Sequence, residues 1–241
     1  MWITTESGKH VNTDWFDKDR QIAANKVEAD RRNDELSNYL GEPSKSNANR
    51  TIADRIEWIN ASDSTDSKNA DRINNCQRCV ISAELNARGY ETTAMPKPKN
   101  DEFENDATWQ KALGNPIKDS LTGDDFDDVN NKLNSLVDKL PENARGVISY
   151  QRKEIIKTGV HGHVIMMEKT ANGPVFYDPQ SGKIFKNFRH ALTGYAEEAK
   201  IGEKRALQNA VVDFSRLYFL RTDNAKINVD MLKKYKVVNR F

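Results

Sequence analysis

Asn75-Cys76-Gln77-Arg78-Cys79-Val80 opens an apolar run that closes at Arg88-Gly89-Tyr90. At helical spacing Cys76, Val80 and Ala83 fall on one face, and Cys79, Ala83 and Ala87 stripe close beside it. Asn74 or Asn75 is placed to cap the start of this helix and Gly89 to end it as the C′ residue. Cys76 then occupies the first turn, where unpaired N–H groups and the helix dipole favour an anion. A free thiol, with a pKa near ~8.5, is mostly protonated at neutral pH, and such a position together with a neighbouring imidazolium activates it. Cys76 and Cys79 are the only two cysteines in the chain.

Downstream the pattern changes from helix to sheet. Residues 146–152, 162–168 and 174–177 are rich in β-formers, and Thr170-Ala171-Asn172-Gly173 between the last two has the composition of a hairpin turn. Alternation places His163, Ile165 and Met167 on one strand face, and Asp178 ends the return strand. Paired strands lie about 5 Å apart, so His163 and Asp178 come within reach of a hydrogen bond. A carboxylate on the far side of an imidazole fixes its tautomer and orientation. Cys76 has to arrive from a separate helical layer packed on that sheet. The predicted fold class is α+β, with a cysteine-bearing helix on an antiparallel sheet.

These motifs, in order, resemble the papain fold toxin 1 family: Asn75-Cys76-Gln77-Arg78-Cys79 and the helix after it, Ala144-Arg145-Gly146-Val147, Gly162-His163-Val164, and Phe176-Tyr177-Asp178-Pro179-Gln180-Ser181-Gly182. The likeness spans roughly residues 70–222. It implies a papain-like fold and glutamine deamidases or peptidase-like enzymes, found in bacterial polymorphic toxins and in phage minor capsid or head-morphogenesis proteins. It also implies Cys76 as nucleophile, His163 as base and Asp178 as the orienting acid. One departure is Asn143-Ala144-Arg145-Gly146, which stands where a glycine usually begins a Gly-Ala-Arg-Ala strand. The resemblance implies a protein substrate, attacked at a glutamine side chain or a peptide bond, and admits phage virion proteins or a cognate immunity protein as partners. No cofactor or metal is called for.

Other readings of the same residues stand beside this one. Cysteines three apart on an apolar helix can be plain buried packing residues. Cys76 and Cys79 with His161 and His163 supply the ligand count of a tetrahedral zinc site, although the His-x-His spacing is tight for one. In that case the chain would be a non-enzymatic phage structural or head-assembly protein. The His-x-Glu and Pro-Cys-x-x-Cys of zinc deaminases are absent. His161 competes with His163 as base, but His163 lies deeper in the apolar run Val164-Ile165-Met166-Met167. Gln180 and Gln77 are candidates for holding an oxyanion or a substrate amide; a turn role for Gln180 and an exposed helix position for Gln77 are the plainer alternatives. Arg145 and Arg78 read as surface or salt-bridge residues, and His10 and His190 as solvated or partly packed.

Composition bounds the remainder. The chain has 241 residues, 37% hydrophobic and 30% charged, enough for one solid core with a helical appendage. Its 37 basic and 36 acidic residues give a net charge of +1, so no global field selects nucleic acid or an acidic membrane. No stretch approaches the ~18 apolar residues of a membrane span, and the N-terminus lacks the basic and apolar regions of a signal peptide. The expected location is cytoplasmic, or virion-associated and delivered into a target cell.

Residues 1–69 are expected to form a polar helical extension and linker, and residues 70–241 the catalytic domain. Within the first part, 14–39 reads as a solvated or partner-docked helix, 42–49 as a linker, 62–70 as a second polar loop, and 50–60 as a short amphipathic helix. Within the second, 90–95 and 216–221 read as strands. Residues 109–113, 124–140 (capped by Thr122 or Asp124), 188–200 and 230–237 read as helices.

Overall fold

The computed structural model describes residues 2–4, 10–12, 34–60, 75–96, 106–152, 162–198, 212–235 and 237–239. In chain order the elements are β1 (Trp2–Thr4), β2 (His10–Asn12), α1 (34–40), α2 (Lys45–Ala48), α3 (Ile52–Ile56) and α4 (Cys76–Ala87). Then come β3 (Thr92–Ala94), α5 (Asp106–Ala112), β4 (Lys118–Ser120), α6 (Phe126–Lys139), β5 (Arg145–Arg152) and β6 (Gly162–Thr170). The chain continues with β7 (Gly173–Asp178), β8 (Lys183–Phe185), α7 (Phe188–Glu198), β9 (Val212–Arg221), α8 (Val229–Tyr235) and β10 (Val237–Asn239).

Six strands form one sheet in the order β4-β9-β5-β6-β7-β8, antiparallel throughout. Side-chain alternation gives this sheet two buried faces. Val147, Val164, Met166 and Tyr177 join one core with Cys79, Val80, Ala83 and Leu85 of α4. Their chain neighbours Ile148, Ile165, Met167 and Phe176 join the other, under α6 and α7. Helix α6 docks there through Phe126, Val129, Leu133 and Val137, the i, i+3/i+4 stripe of an amphipathic helix. The architecture is the α+β arrangement expected, with the cysteine helix on one face of an antiparallel sheet.

Helix α4 ends as its sequence predicts. Gly89 has φ +98°, its N–H donates to the Asn86 carbonyl at 3.0 Å, and the Tyr90 N–H donates to the Leu85 carbonyl at 3.1 Å. This pair of bonds is a Schellman motif around a left-handed C′ residue. Gly89 is needed for a second reason, because a Cβ there would lie 2.6 Å from the Ser44 carbonyl oxygen.

Several elements differ from expectation. Residues 42–49 are not a bare linker: they contain α2, tied to the end of α4 by the Ser44 N–H to the Gly89 carbonyl at 3.0 Å. The described end of the first predicted helix, α1, is not solvated on all sides; Leu36 and Leu40, four residues apart, are buried in the core of α4, as are Ile56 and Ile59. The cap of α6 is Asp125, whose carboxylate accepts from the Asp128 N–H at 2.9 Å, rather than Thr122 or Asp124. The short strands β4, β8 and β10 have no sequence signal of their own. They form because β9, β7 and β3 offer edges to pair with. The 62–70 loop lies outside the described residues.

Candidate active site

Asn75 stands at the N-cap position of α4 and Cys76 is its first helical residue. Asn75 does not cap with its side chain. Its amide nitrogen donates instead to Asn60 Oδ1 at 3.2 Å and to the Met95 carbonyl at 3.1 Å. Cys79, one turn in, has its N–H bonded to the Asn75 carbonyl at 3.1 Å and is fully buried, whereas Cys76 is half-buried. Cys76 therefore keeps the unpaired helix start and Cys79 the packed interior.

The position of α4 against the sheet is set by a buried charge. Glu84, with no exposed surface, accepts from Arg88 Nε at 2.8 Å, from Arg145 Nη2 at 2.9 Å and Nε at 3.1 Å, and from the Thr222 hydroxyl at 2.8 Å. Burial opposes its ionisation, but the charges and hydrogen bonds of Arg88 and Arg145 outweigh burial and hold the carboxyl at about 2. Arg145 opens β5, so this fork ties the helix carrying the cysteine to the central strands. Arg145 is thus a salt-bridge residue. Arg78 is not at the surface: it is buried, donates to the Pro96 carbonyl at 3.3 Å and lies over the Tyr235 ring.

His163 lies at the start of β6, opposite Tyr150 in the β5–β6 ladder, and the two rings meet edge to face at 5.8 Å between centroids. Its Nε2 is 3.2 Å from Asp178 Oδ2, and its ring also makes a hydrogen bond with Cys76. With Nε2 turned to the carboxylate, Nδ1 is the nitrogen left for the thiol. Tyr150 belongs to one core and Cys76 packs against the other, so the imidazole stands at the seam between them. Burial alone would lower its pKa. The Tyr150 phenol, the bonds to Asp178 and Cys76 and the Asp178 charge raise it well above the ordinary histidine value.

Asp178 is held from its other side by the loop that follows it. Oδ1 accepts from the Gln180 N–H at 2.9 Å and Oδ2 from the Ser181 hydroxyl at 2.9 Å, an Asx-type turn closed by Gly182 at φ +70°. Burial opposes ionisation here as well, but His163, the Gln180 N–H and the Ser181 hydroxyl keep the carboxyl below its usual value. A thiol at a helix start, an imidazole and an oriented carboxylate thus converge from α4, β6 and β7.

Residues 74–183 match the family model described as papain fold toxin 1, glutamine deamidase. Over that segment the chain is similar to the papain fold toxin 1 family. No curated protein and no solved structure shows a significant match to the chain. Cys76, His163 and Asp178 all fall inside the matched segment.

The secondary candidates fare differently. Gln180 meets Asp178 through its backbone N–H, and its carbonyl accepts from Asn60 Nδ2 at 2.9 Å. Gln77 is half-buried rather than exposed, and its Oε1 is enclosed without a hydrogen-bond donor. His161, the rival base and a member of the imagined zinc set, lies outside the described residues. Among the described residues no three or more His, Cys, Asp and Glu side chains gather as a metal would require. His190 is partly packed, edge-on to Phe185, with its Nδ1 accepting from the Lys186 N–H at 3.4 Å. His10 lies in β2. Among the described residues no helix is long and apolar enough to cross a membrane.

Sequence reading missed Tyr150, Ser181, Glu84 and Asn60. Ser181 carried a usable signal, since Asp-Pro-Gln-Ser-Gly is an Asx-turn composition. Tyr150 could have been found only from the strand register. Glu84 sat among apolar residues on the helix face, a position that demands a partner.

Proposed function

We propose that this protein is a cysteine amidohydrolase whose reaction is deamidation of glutamine side chains in a protein substrate. The observation that supports it is the convergence of Cys76, His163 and Asp178 with the imidazole bonded to both neighbours. In the proposed cycle His163 Nδ1 takes the Cys76 proton and the sulfur attacks the carboxamide carbon. The resulting oxyanion is held by the unpaired N–H groups at the start of α4, where charge develops. His163 then returns the proton to the departing nitrogen, and ammonia leaves behind a thioester. Water, activated by the same imidazole, hydrolyses the thioester to glutamate and free thiol. Asp178 holds the ring in one tautomer and stabilises the imidazolium throughout.

Peptide hydrolysis passes through the same acyl-enzyme, with an amine rather than ammonia leaving. The deamidase reading is preferred because the family description names that reaction. Incubation of the protein with a glutamine-rich protein such as casein, followed by ammonia assay and peptide mass spectrometry, tests it. Conversion of glutamine to glutamate in an intact backbone is the expected result. Cleaved peptides without released ammonia would make it a peptidase. About one equivalent of tightly held zinc with no turnover would favour the structural reading of the cysteines.

A further inference from the structure

We infer that Asn60, which lies upstream of the segment matching the family, is a positioning residue that locks the Cys76 helix to the Asp178 loop. The inference rests on the cysteine-nucleophile reading above. Asn60 Nδ2 donates to the Gln180 carbonyl at 2.9 Å, and Asn60 Oδ1 accepts from Asn75 Nδ2 at 3.2 Å. Gln180 is the residue whose N–H holds Asp178 Oδ1, and Asn75 is the residue immediately before Cys76. One side-chain amide therefore spans the two pieces of chain that carry the thiol and the acid.

The orientation of that amide is determined by its surroundings. Asn75 Nδ2 also faces the Met95 carbonyl at 3.1 Å, which only a donor satisfies. The same nitrogen then requires an oxygen from Asn60, and this leaves the Asn60 nitrogen for the Gln180 carbonyl. Each contact is a donor meeting an acceptor, and reversing either amide would set like groups against each other. The backbone beneath Asn60 is fixed as well. Ile59 is fully buried, and its carbonyl accepts from the Ala94 N–H at 2.8 Å and the Thr93 hydroxyl at 3.1 Å.

The consequence concerns geometry more than stability. His163 is bonded to Cys76 on one side and Asp178 on the other, so the spacing between the start of α4 and the Gln180 turn sets whether both bonds can be made together. A misplacement of about 1 Å at such a site costs roughly 100-fold in rate. With Leu36, Leu40, Ile56 and Ile59 in the core of α4, the assignment also makes residues 34–60 part of the active unit rather than a detachable extension.

The test is the pH profile of Cys76 alkylation by iodoacetamide in the full chain, mapped by peptide mass spectrometry, for wild type, Asn60→Ala and Asn60→Asp. Wild type is expected to react rapidly down to about pH 6, where an ordinary thiol reacts slowly. Both variants should lose about tenfold or more of that low-pH rate. Asn60→Asp keeps the acceptor for Asn75 and the side-chain shape, so it carries the test should Asn60→Ala fail to fold. Folded variants with the wild-type profile would make Asn60 merely structural and overturn the inference while leaving the nucleophile reading intact. A wild-type protein without low-pH reactivity would instead overturn the nucleophile reading, and this inference with it.

Discussion

Asp178 Oδ2 sits 3.2 Å from His163 Nε2 although the two residues never pair in the β6–β7 ladder, which ends at Met166 opposite Tyr177. Continued by one step, that register sets Asp178 opposite Ile165, so His163 is its diagonal neighbour on the same face. Diagonal neighbours are about 7–8 Å apart at the backbone, within reach of an imidazole and a carboxylate leaning towards each other. The hairpin therefore brings the pair together, and the turn after Asp178 holds the carboxylate in place.

Asp178→Ala should leave a folded protein with turnover reduced on the order of 10³–10⁴-fold, because the imidazole loses the group that sets its tautomer. Ammonia release measured beside circular dichroism checks this. Wild-type activity in the folded variant would remove Asp178 from the mechanism.

The same charges shape stability against pH. Glu84 titrates at about 2 in the folded chain against 4.5 for a free side chain. Its contribution is fully present above about pH 4.5 and disappears as pH falls through the folded value, amounting to something on the order of 3 kcal/mol. His163 acts in the opposite sense. Its folded pKa is raised above 6.5, so its contribution is fully present below about pH 6.5 and is lost as pH rises through the folded value. Urea denaturation across pH should find the stability maximum between these limits. Glu84→Gln should lose about 3–5 kcal/mol at neutral pH, since Arg88 and Arg145 are left without their carboxylate, and should flatten the acid limb. An acid limb as steep as wild type would show that other carboxylates dominate it.

How far the sequence spoke depended on how local each determinant was. The helix around Cys76, its Gly89 end and the β6–β7 hairpin were legible because periodicity, cap and turn chemistry lie within a few residues of one another. The separate environments of Cys76 and Cys79 followed from a three-residue offset along one helix. The buried fork at Glu84 was not legible, because its partners Arg145 and Thr222 lie far along the chain, at the start of β5 and just after β9. Nor was Asn60, an ordinary polar residue after an amphipathic turn, whose importance comes only from what folds against it. The helix α2 was hidden in a stretch whose Pro, Ser and Asn composition reads as linker; its contact with Gly89 is long-range.

Gly146 gives a test of the sheet core. A Cβ at this position would overlap the Phe219 ring and sit 2.8 Å from the Leu220 carbonyl oxygen, and neither the backbone of β9 nor a fully buried ring can move aside freely. Gly146→Ala should destabilise the protein by about 1–3 kcal/mol or more through overpacking. Thermal or urea unfolding reads the change directly, and an unchanged midpoint would mean that β5 and β9 are less closely packed than described.

The two cysteines supply the sharpest test of the proposed chemistry, because they share a helix and differ in environment. Cys76 is half-buried at the first helical position and bonded to His163. Cys79 is fully buried, its N–H already in the helix ladder, and packs among Val80, Ala83 and Val164. The dipole's influence fades within the first turn, which is why Cys76 is the proposed nucleophile. Cys76→Ser should abolish acyl-enzyme formation, read as the covalent adduct in intact-mass spectra, with little change in unfolding midpoint. Cys79→Ser should retain much of the activity and lose about 1–3 kcal/mol, the cost of burying a hydroxyl in an apolar site without a good partner. A protein that needs Cys79 for turnover and tolerates loss of Cys76 would place the nucleophile one helical turn away from His163 and overturn the proposed mechanism.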